Sequence, residues 1–263
     1  MAAPPLSITV LGSGTSVGVP TIGCHCAVCS SSDPRDNRLR PSVYVKYRGR
    51  GVLIDTTPDF RQQALRAKIE RVDAILLTHS HADHVMGLDD VRRFNLLNGQ
   101  KPIDVWADAN THESLERMFA YAFLPAHEGP RVFRPLLNRR IIEGPFQVGS
   151  KRWTPIPLKH GHHAVLGFRV GRLAYCTDVS RIPDDSWSLL RDLDVLVLDA
   201  LQYKKHPTHF NIEEAIDAAQ RIGAGQTIFT HITHALPHQQ TNASLPRGIR
   251  LAFDGERVIA NAR

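Results

Sequence analysis

Short apolar runs recur along the chain, and many of them end on a histidine or an aspartate. Residues 7–11 read as a strand entering the small-residue turn Gly12-Ser13-Gly14, where glycine permits positive φ or close backbone approach. Residues 42–47 alternate and return through 48–51 into 52–55, the pattern of a hairpin. Pro58 suits the first position of a helix over 60–68. Residues 73–77 form a buried apolar run, 85–91 read as the start of a helix, and 103–106 read as a strand. Asn110 or Thr111 is expected to cap a helix that runs to about Phe119. Further strands are expected at 151–158, 166–170, 172–176, 194–199 and 226–230. The second and third of these make a hairpin through Gly171. A helix over 212–221 is announced by Asn211 with Glu214 three residues on, a capping-box spacing. Residues 251–253 and 257–259 read as a closing hairpin. The segment 121–139, rich in proline, reads as an irregular lid or substrate-facing insertion, with His127 simply exposed on it. Strands alternating with helices in both halves predict an α/β sandwich, two sheets between helices, as one domain over 1–263.

The chemistry concentrates at the strand ends. Thr78-His79-Ser80-His81-Ala82-Asp83-His84 follows the apolar run at 73–77, so four donors fall within six residues on a turn. Imidazole and carboxylate donors suit zinc, manganese or iron(II). Alternate residues of such a turn can face one point, so His79 and His81 can hold one ion while Asp83 and His84 turn toward a second. A solvated polar loop is the plainer reading, but three histidines and an aspartate directly after a buried strand argue against it. His160 closes another strand and has the placement of a third imidazole ligand; His162 and His163 face substrate or solvent. Asp178, at a strand end, either bridges two ions with its two oxygens or caps the next turn. His231 ends the strand at 226–230. Asp55, also at a strand end, either caps a helix or orients a ligand histidine, and the second role is expected.

Three of the four cysteines lie in Cys24-His25-Cys26-Ala27-Val28-Cys29, a metal-site spacing, whereas Cys176 sits in an apolar strand as core. Tetrahedral zinc needs a fourth donor, His25 or one from elsewhere, and would anchor the loop at about 21–40. Thiols used this way, with no basic and apolar leader at the start, point to a reducing cytoplasm. No stretch approaches a membrane span. Lys and Arg number 32 against 26 Asp and Glu, a net charge of +6, and are scattered rather than gathered into a nucleic-acid arm.

The motif at 78–84 with His160, Asp178 and His231 resembles the metallo-β-lactamase-fold hydrolases, and the resemblance covers essentially the whole chain. It implies the αββα fold, two mixed sheets between helices, and two divalent ions, zinc or manganese. In it His79, His81 and His160 hold one ion, Asp83, His84 and His231 the other, and Asp178 bridges. Residues 11–20 followed by Gly23-Cys24-x-Cys26-x-x-Cys29 are similar to the PhnP-type subgroup, whose namesake is a phosphoribosyl cyclic phosphodiesterase. That subgroup carries a structural zinc on the three cysteines and a later histidine, which implies Cys24, Cys26, Cys29 and His234 here. It also has a histidine before the late helix that acts on the phosphate or leaving group; His209 matches, with His206 nearby. The function implied is hydrolysis of a small, cyclic or sugar-linked phosphodiester by metal-activated hydroxide, with Asp83 and His209 as catalytic groups. A homodimer is implied by resemblance alone. Two alternatives stand beside it. One is a tRNase Z-like or exonuclease-like phosphodiesterase on nucleic acid, disfavoured by the lack of a basic arm. The other is a non-catalytic PqqB-like carrier, disfavoured because the full His/Asp set is present.

Overall fold

The structure, a computed structural model, describes residues 6–125 and 133–260. The first half supplies β1 (Leu6–Gly12), β2 (Ser42–Tyr47), β3 (Arg50–Ile54), α1 (Phe60–Arg66), β4 (Ala74–Leu76), α2 (Ala82–Val85), α3 (Arg92–Leu97), β5 (Ile103–Ala107), α4 (Ala109–Phe123) and β6 (Leu137–Ile141). The second half supplies β7 (Phe146–Val148), β8 (Lys151–His160), β9 (His163–Val170), β10 (Leu173–Cys176), α5 (Asp184–Trp187), β11 (Val195–Asp199), α6 (Ile212–Ile222), β12 (Gln226–Thr230), α7 (His238–Ser244), β13 (Ile249–Leu251) and β14 (Arg257–Ala260). One sheet has the order β14-β1-β2-β3-β4-β5-β6, the other β13-β12-β11-β10-β9-β8-β7. Both are mixed. β14 to β3 pair antiparallel and β3 to β6 parallel; β7 to β10 pair antiparallel and β10 to β13 parallel.

The strand residues divide by parity. Val43 and Val45 of β2, with Val195 and Val197 of β11, point into the layer between the sheets, around fully buried Trp153 and Phe168. Leu196 and Leu198 point the other way, under the apolar face of α6, while Tyr44 and Leu53 pack beneath α1, α3 and α4. Burial on both faces explains why β11 reads as a continuous apolar run. Each such Val, Leu or Phe contributes about 1.5–3 kcal/mol. The result is helix, sheet, sheet, helix. Among the described residues no helix is long and apolar enough to cross a membrane.

Several local expectations change. Asp108, not Asn110 or Thr111, caps α4, its carboxylate accepting from Thr111 N. Asp59 precedes α1, so Pro58 lies outside the helix, and α1 stops at Arg66. The terminal strands do not form a hairpin: β13 joins β12 in parallel, while β14 crosses to β1 in the other sheet. The segment 121–139 is not irregular throughout, because α4 extends to Phe123 and β6 begins at Leu137. His127 lies outside the described residues. Neither Gly12 nor Gly14 has positive φ. Gly12 serves close approach instead, since a Cβ there would meet Arg40 O at 1.9 Å.

Candidate metal centre

Parallel strands running the same way in both sheets bring their C-terminal ends to one edge, and the chemical side chains collect there. Asp55 follows β3, the 78–84 turn follows β4, Asp178 follows β10, Asp199 ends β11 and His231 follows β12. Asp55, Asp178 and His231 all have positive φ, at 64°, 57° and 61°. Non-glycine residues in this region are uncommon and cluster at functional sites. Each turns its side chain back over the strand end.

Four overlapping donor sets form among the described residues at this edge, two of which place His209 with His160 and Asp178 and with Asp199 and His231; the other two are the expected pair. His79, His81 and His160 make one; Asp83, His84, Asp178 and His231 make the other, the donor atoms of each set lying within 4.8 Å of one another. Asp178 faces both. Its Oδ1 is 3.2 Å from His84 Nε2, and its Oδ2 lies 3.3 Å from His231 Nε2, 3.9 Å from His79 Nε2 and 4.0 Å from His160 Nε2. Asp83 Oδ2 is 3.3 Å from His84 Nε2 and 3.7 Å from His231 Nε2.

The outward nitrogens of His84 and His160 are tied down, whereas His231 Nδ1 has no partner. His84 Nδ1 donates to Asp55 Oδ2 at 2.7 Å, and Asp55 also accepts from Thr78 N and Thr78 Oγ1, both at 2.9 Å. His160 Nδ1 donates to the Thr208 carbonyl at 2.8 Å. Those bonds leave Nε2 as the inward atom, the arrangement that metal-bound histidines require. His79 Nε2, His84 Nε2 and His231 Nε2 are buried with no hydrogen-bond partner. Buried orphan nitrogens are costly unless something binds them. Divalent cations fit this donor set, because neutral imidazole and carboxylate are their usual ligands.

The electrostatics agree. Burial alone would raise the Asp178 carboxyl, but His231 and His84 hold it well below the usual range. Asp83, likewise opposed by burial, is pulled far down by the same two imidazoles. Burial works against protonation of His231 and His84, yet Asp178 lifts His231 to about 10, and Asp178 with Asp55 lifts His84 well above its ordinary value. Left to itself, the set around Asp178, His84 and His231 gathers protons where a cation would sit, whereas burial pushes His79, His81 and His160 below their ordinary value and leaves them neutral donors.

Cys24 Sγ, Cys26 Sγ and Cys29 Sγ surround His234 Nδ1 at 3.3, 3.7 and 3.3 Å. Tetrahedral zinc with ordinary Zn–S and Zn–N bonds would separate sulfur from nitrogen by about 3.6 Å. His25 is not among these four. Backbone N–H groups of Thr21 and Cys29 donate to Cys29 Sγ and Cys26 Sγ, both at 3.4 Å, as they would to thiolates. The same loop is clamped by the buried Arg38 guanidinium, which donates to Thr233 O, Leu236 O and Asp36.

His209 is buried beside the centre, its ring 4.6 Å from those of both His160 and His231. His206 is exposed and 5.3 Å further out. One partner escaped the sequence reading: Asp199 Oδ2 accepts from His209 Nδ1 at 2.9 Å and from Val179 N at 2.9 Å. An aspartate ending a buried strand was the available signal, since Asp55 and Asp178 share it.

Residues 50–232 match the model of the β-lactamase superfamily domain. A solved diphosphatase from the PhnP family superposes with a TM-score of 0.91 and 47% identity, covering 97% of both chains. An octanoyltransferase of Porphyromonas gingivalis (strain ATCC BAA-308 / W83) is 39% identical over 97% of this chain. The chain spans about half that relative's length, 51%. Zinc-bound PqqB from Methylobacterium extorquens shares the fold, with a TM-score of 0.80 at 22% identity over 96% of this chain and 99% of that one. Fold and centre together define a metal-dependent hydrolase of the metallo-β-lactamase type. Within that class the chain belongs to the PhnP family of the β-lactamase superfamily.

Proposed function

We propose that the chain is a phosphodiesterase for a small, cyclic or sugar-linked phosphodiester, with two divalent ions, zinc or manganese, at the strand-end cluster and a structural zinc on Cys24, Cys26, Cys29 and His234. His79, His81 and His160 would hold one catalytic ion, Asp83, His84 and His231 the other, and Asp178 would offer one oxygen to each. When bound, such ions polarise phosphoryl oxygens and bring the pKa of water toward 7. The remaining work falls to the chain. Asp55 keeps the His84 proton on Nδ1, and the Thr208 carbonyl does the same for His160, so that both Nε2 atoms stay free. Asp83, drawn far below the usual carboxylate range by the imidazoles around it, stays ionised and can orient the attacking water. His209, held through Nδ1 by Asp199, presents Nε2 to the departing oxygen, to which it donates a proton.

The observation that carries this reading is the His209–Asp199 pair. A carrier needs ligands only, whereas an oriented proton donor beside the centre serves a leaving group. The arginines of the first half also speak against a nucleic-acid exosite, because many already face carboxylates, as in Arg35–Asp33, Arg40–Asp59 and Arg139–Glu116. The test is turnover of bis(p-nitrophenyl) phosphate with zinc and with manganese, the monoester serving as control. Asp178→Asn is expected to lose at least about 100-fold in kcat while keeping its circular dichroism spectrum. Near-normal turnover in folded Asp178→Asn, or an inactive wild type with either ion, would overturn the proposal.

A further inference from the structure

Asp55 frees His84 Nε2 by taking the proton of Nδ1, but the set of His79, His81 and His160 needs bare inward nitrogens as well. His160 is held by the Thr208 carbonyl. His79, buried in the same set, turns its Nδ1 toward the hydroxyl of Thr78, the residue before it, at 3.0 Å.

Thr78 is itself buried and fixed from several sides. Its N–H donates to Asp55 Oδ1 at 2.9 Å, and its carbonyl accepts from Leu166 N of β9, in the other sheet, at 3.0 Å. Its Oγ1 lies 2.9 Å from Asp55 Oδ2 and 3.1 Å from Asp55 Oδ1. A hydroxyl has one proton and a carboxylate only accepts, so that proton goes to Asp55. Toward His79 the Thr78 oxygen is then an acceptor, and Nδ1 must carry the hydrogen. The opposite arrangement loses at both ends. Turning the hydroxyl to His79 would take a donor from Asp55, and it would put the imidazole hydrogen on Nε2, a buried atom with no hydrogen-bond partner.

We infer that Thr78 is a positioning residue whose hydroxyl passes the pull of Asp55 on to His79, so that one buried carboxylate frees Nε2 of a histidine in each donor set. His84 is served directly and His79 through the hydroxyl. This rests on the two-ion reading above. Valine would fill the same buried space but can neither donate to Asp55 nor accept from His79.

Thr78→Val and Thr78→Ser separate this role from packing. Valine keeps the branched shape without the hydroxyl, and serine keeps the hydroxyl without the methyl. Zinc is titrated stepwise against a chromophoric chelator, and heteronuclear NMR of the imidazoles is recorded on the zinc-loaded proteins. Partners of metal-bound histidines are typically worth about 10–100-fold in affinity, so Thr78→Val should weaken one strand-end ion by that factor and the other less. Thr78→Ser should bind both ions as wild type does. In wild type the His79 hydrogen should sit on Nδ1 and exchange slowly with solvent; in Thr78→Val it should exchange faster. A packing role would give the reverse order, with serine the weaker binder and the His79 hydrogen unchanged in the valine variant. That order, equal zinc affinity in all three proteins, or zinc on His79 Nδ1 in wild type would overturn the inference, and the last of these needs no variant to fold. If wild type takes up no ion at the strand ends, the two-ion reading fails instead. The NMR of the metal-free protein then decides: a hydrogen on His79 Nδ1 upholds the role of Thr78, and one on Nε2 removes it.

Discussion

Replacing Asp55 with asparagine separates the shape of the centre from its proton bookkeeping. The side chain is fully buried and accepts from Thr78 N, Thr78 Oγ1 and His84 Nδ1. Asparagine has the same outline but only one acceptor oxygen. If that oxygen stays on the two Thr78 donors, the amide N–H faces His84 Nδ1. His84 must then move its proton to Nε2, the atom that lies 3.3 Å from Asp83 and 3.2 Å from Asp178. Metal binding would require that proton to return to Nδ1 against an opposing N–H. Losing one charge-assisted hydrogen bond costs about 1.5–3 kcal/mol. Partners of metal-bound histidines are typically worth about 10–100-fold in affinity. At about 1.4 kcal/mol per tenfold, the two figures agree. The metal-free fold should lose stability as well, because Asp178 and Asp55 hold the buried His84 protonated there and the exchange removes one of its two partners, although relief of the buried Asp55 carboxylate offsets part of the loss. Zinc affinity, measured by competition with a chromophoric chelator, is expected to fall about 10–100-fold in Asp55→Asn. Unchanged zinc affinity would refute the argument that Asp55 sets the His84 tautomer.

Three further outcomes are expected. His209→Asn should slow a diester with an alkoxide leaving group about 100-fold or more but slow a p-nitrophenyl ester much less, since p-nitrophenolate leaves without a proton; equal losses on both would remove the proton-donor role, and His206→Asn should show neither. Cys26→Ser should lose one equivalent of zinc and lower the melting temperature, although the Arg38 clamp on the same loop should keep the chain folded; unchanged zinc content and stability would contradict the structural site. Burial, followed by Arg35 and Arg38, lowers His238 from 6.5 to about 4. The unfolded chain thus takes up a proton that the folded chain refuses between those values, and stability falls as pH drops from 6.5 toward 4, by at most about 1.4 kcal/mol per pH unit. Melting curves of wild type and His238→Gln across that range should diverge with this sign, and parallel curves would show that His238 does not contribute.

What could be read from the sequence was what local chemistry decides. The strands 194–199 and 226–230 announce themselves because both faces are buried, and the Asn211–Glu214 capping box is a contact over three residues that the structure reproduces in both directions. The donors at 79–84 share one turn, so their convergence needed no knowledge of distant partners. Non-local choices were hidden. β6 buries only Leu137 and carries two exposed arginines, so as an edge strand it shows no apolar run. β13 and β14 are near in sequence and look like a hairpin, but each finds a longer-range partner in a different sheet. Asp199 reads as one more strand-end carboxylate until the 201–210 loop folds back and sets His209 on it. The left-handed backbone at Asp55, Asp178 and His231 leaves no mark in composition at all.

The most direct test of the central claim is native mass spectrometry of the protein titrated with zinc or manganese, with bis(p-nitrophenyl) phosphate turnover read on the same samples. Wild type is expected to hold three ions per chain, with turnover appearing only as the two strand-end sites fill. Cys26→Ser is expected to lose one ion but keep metal-dependent turnover. A single ion per chain, or turnover already complete with the strand-end sites empty, would contradict it.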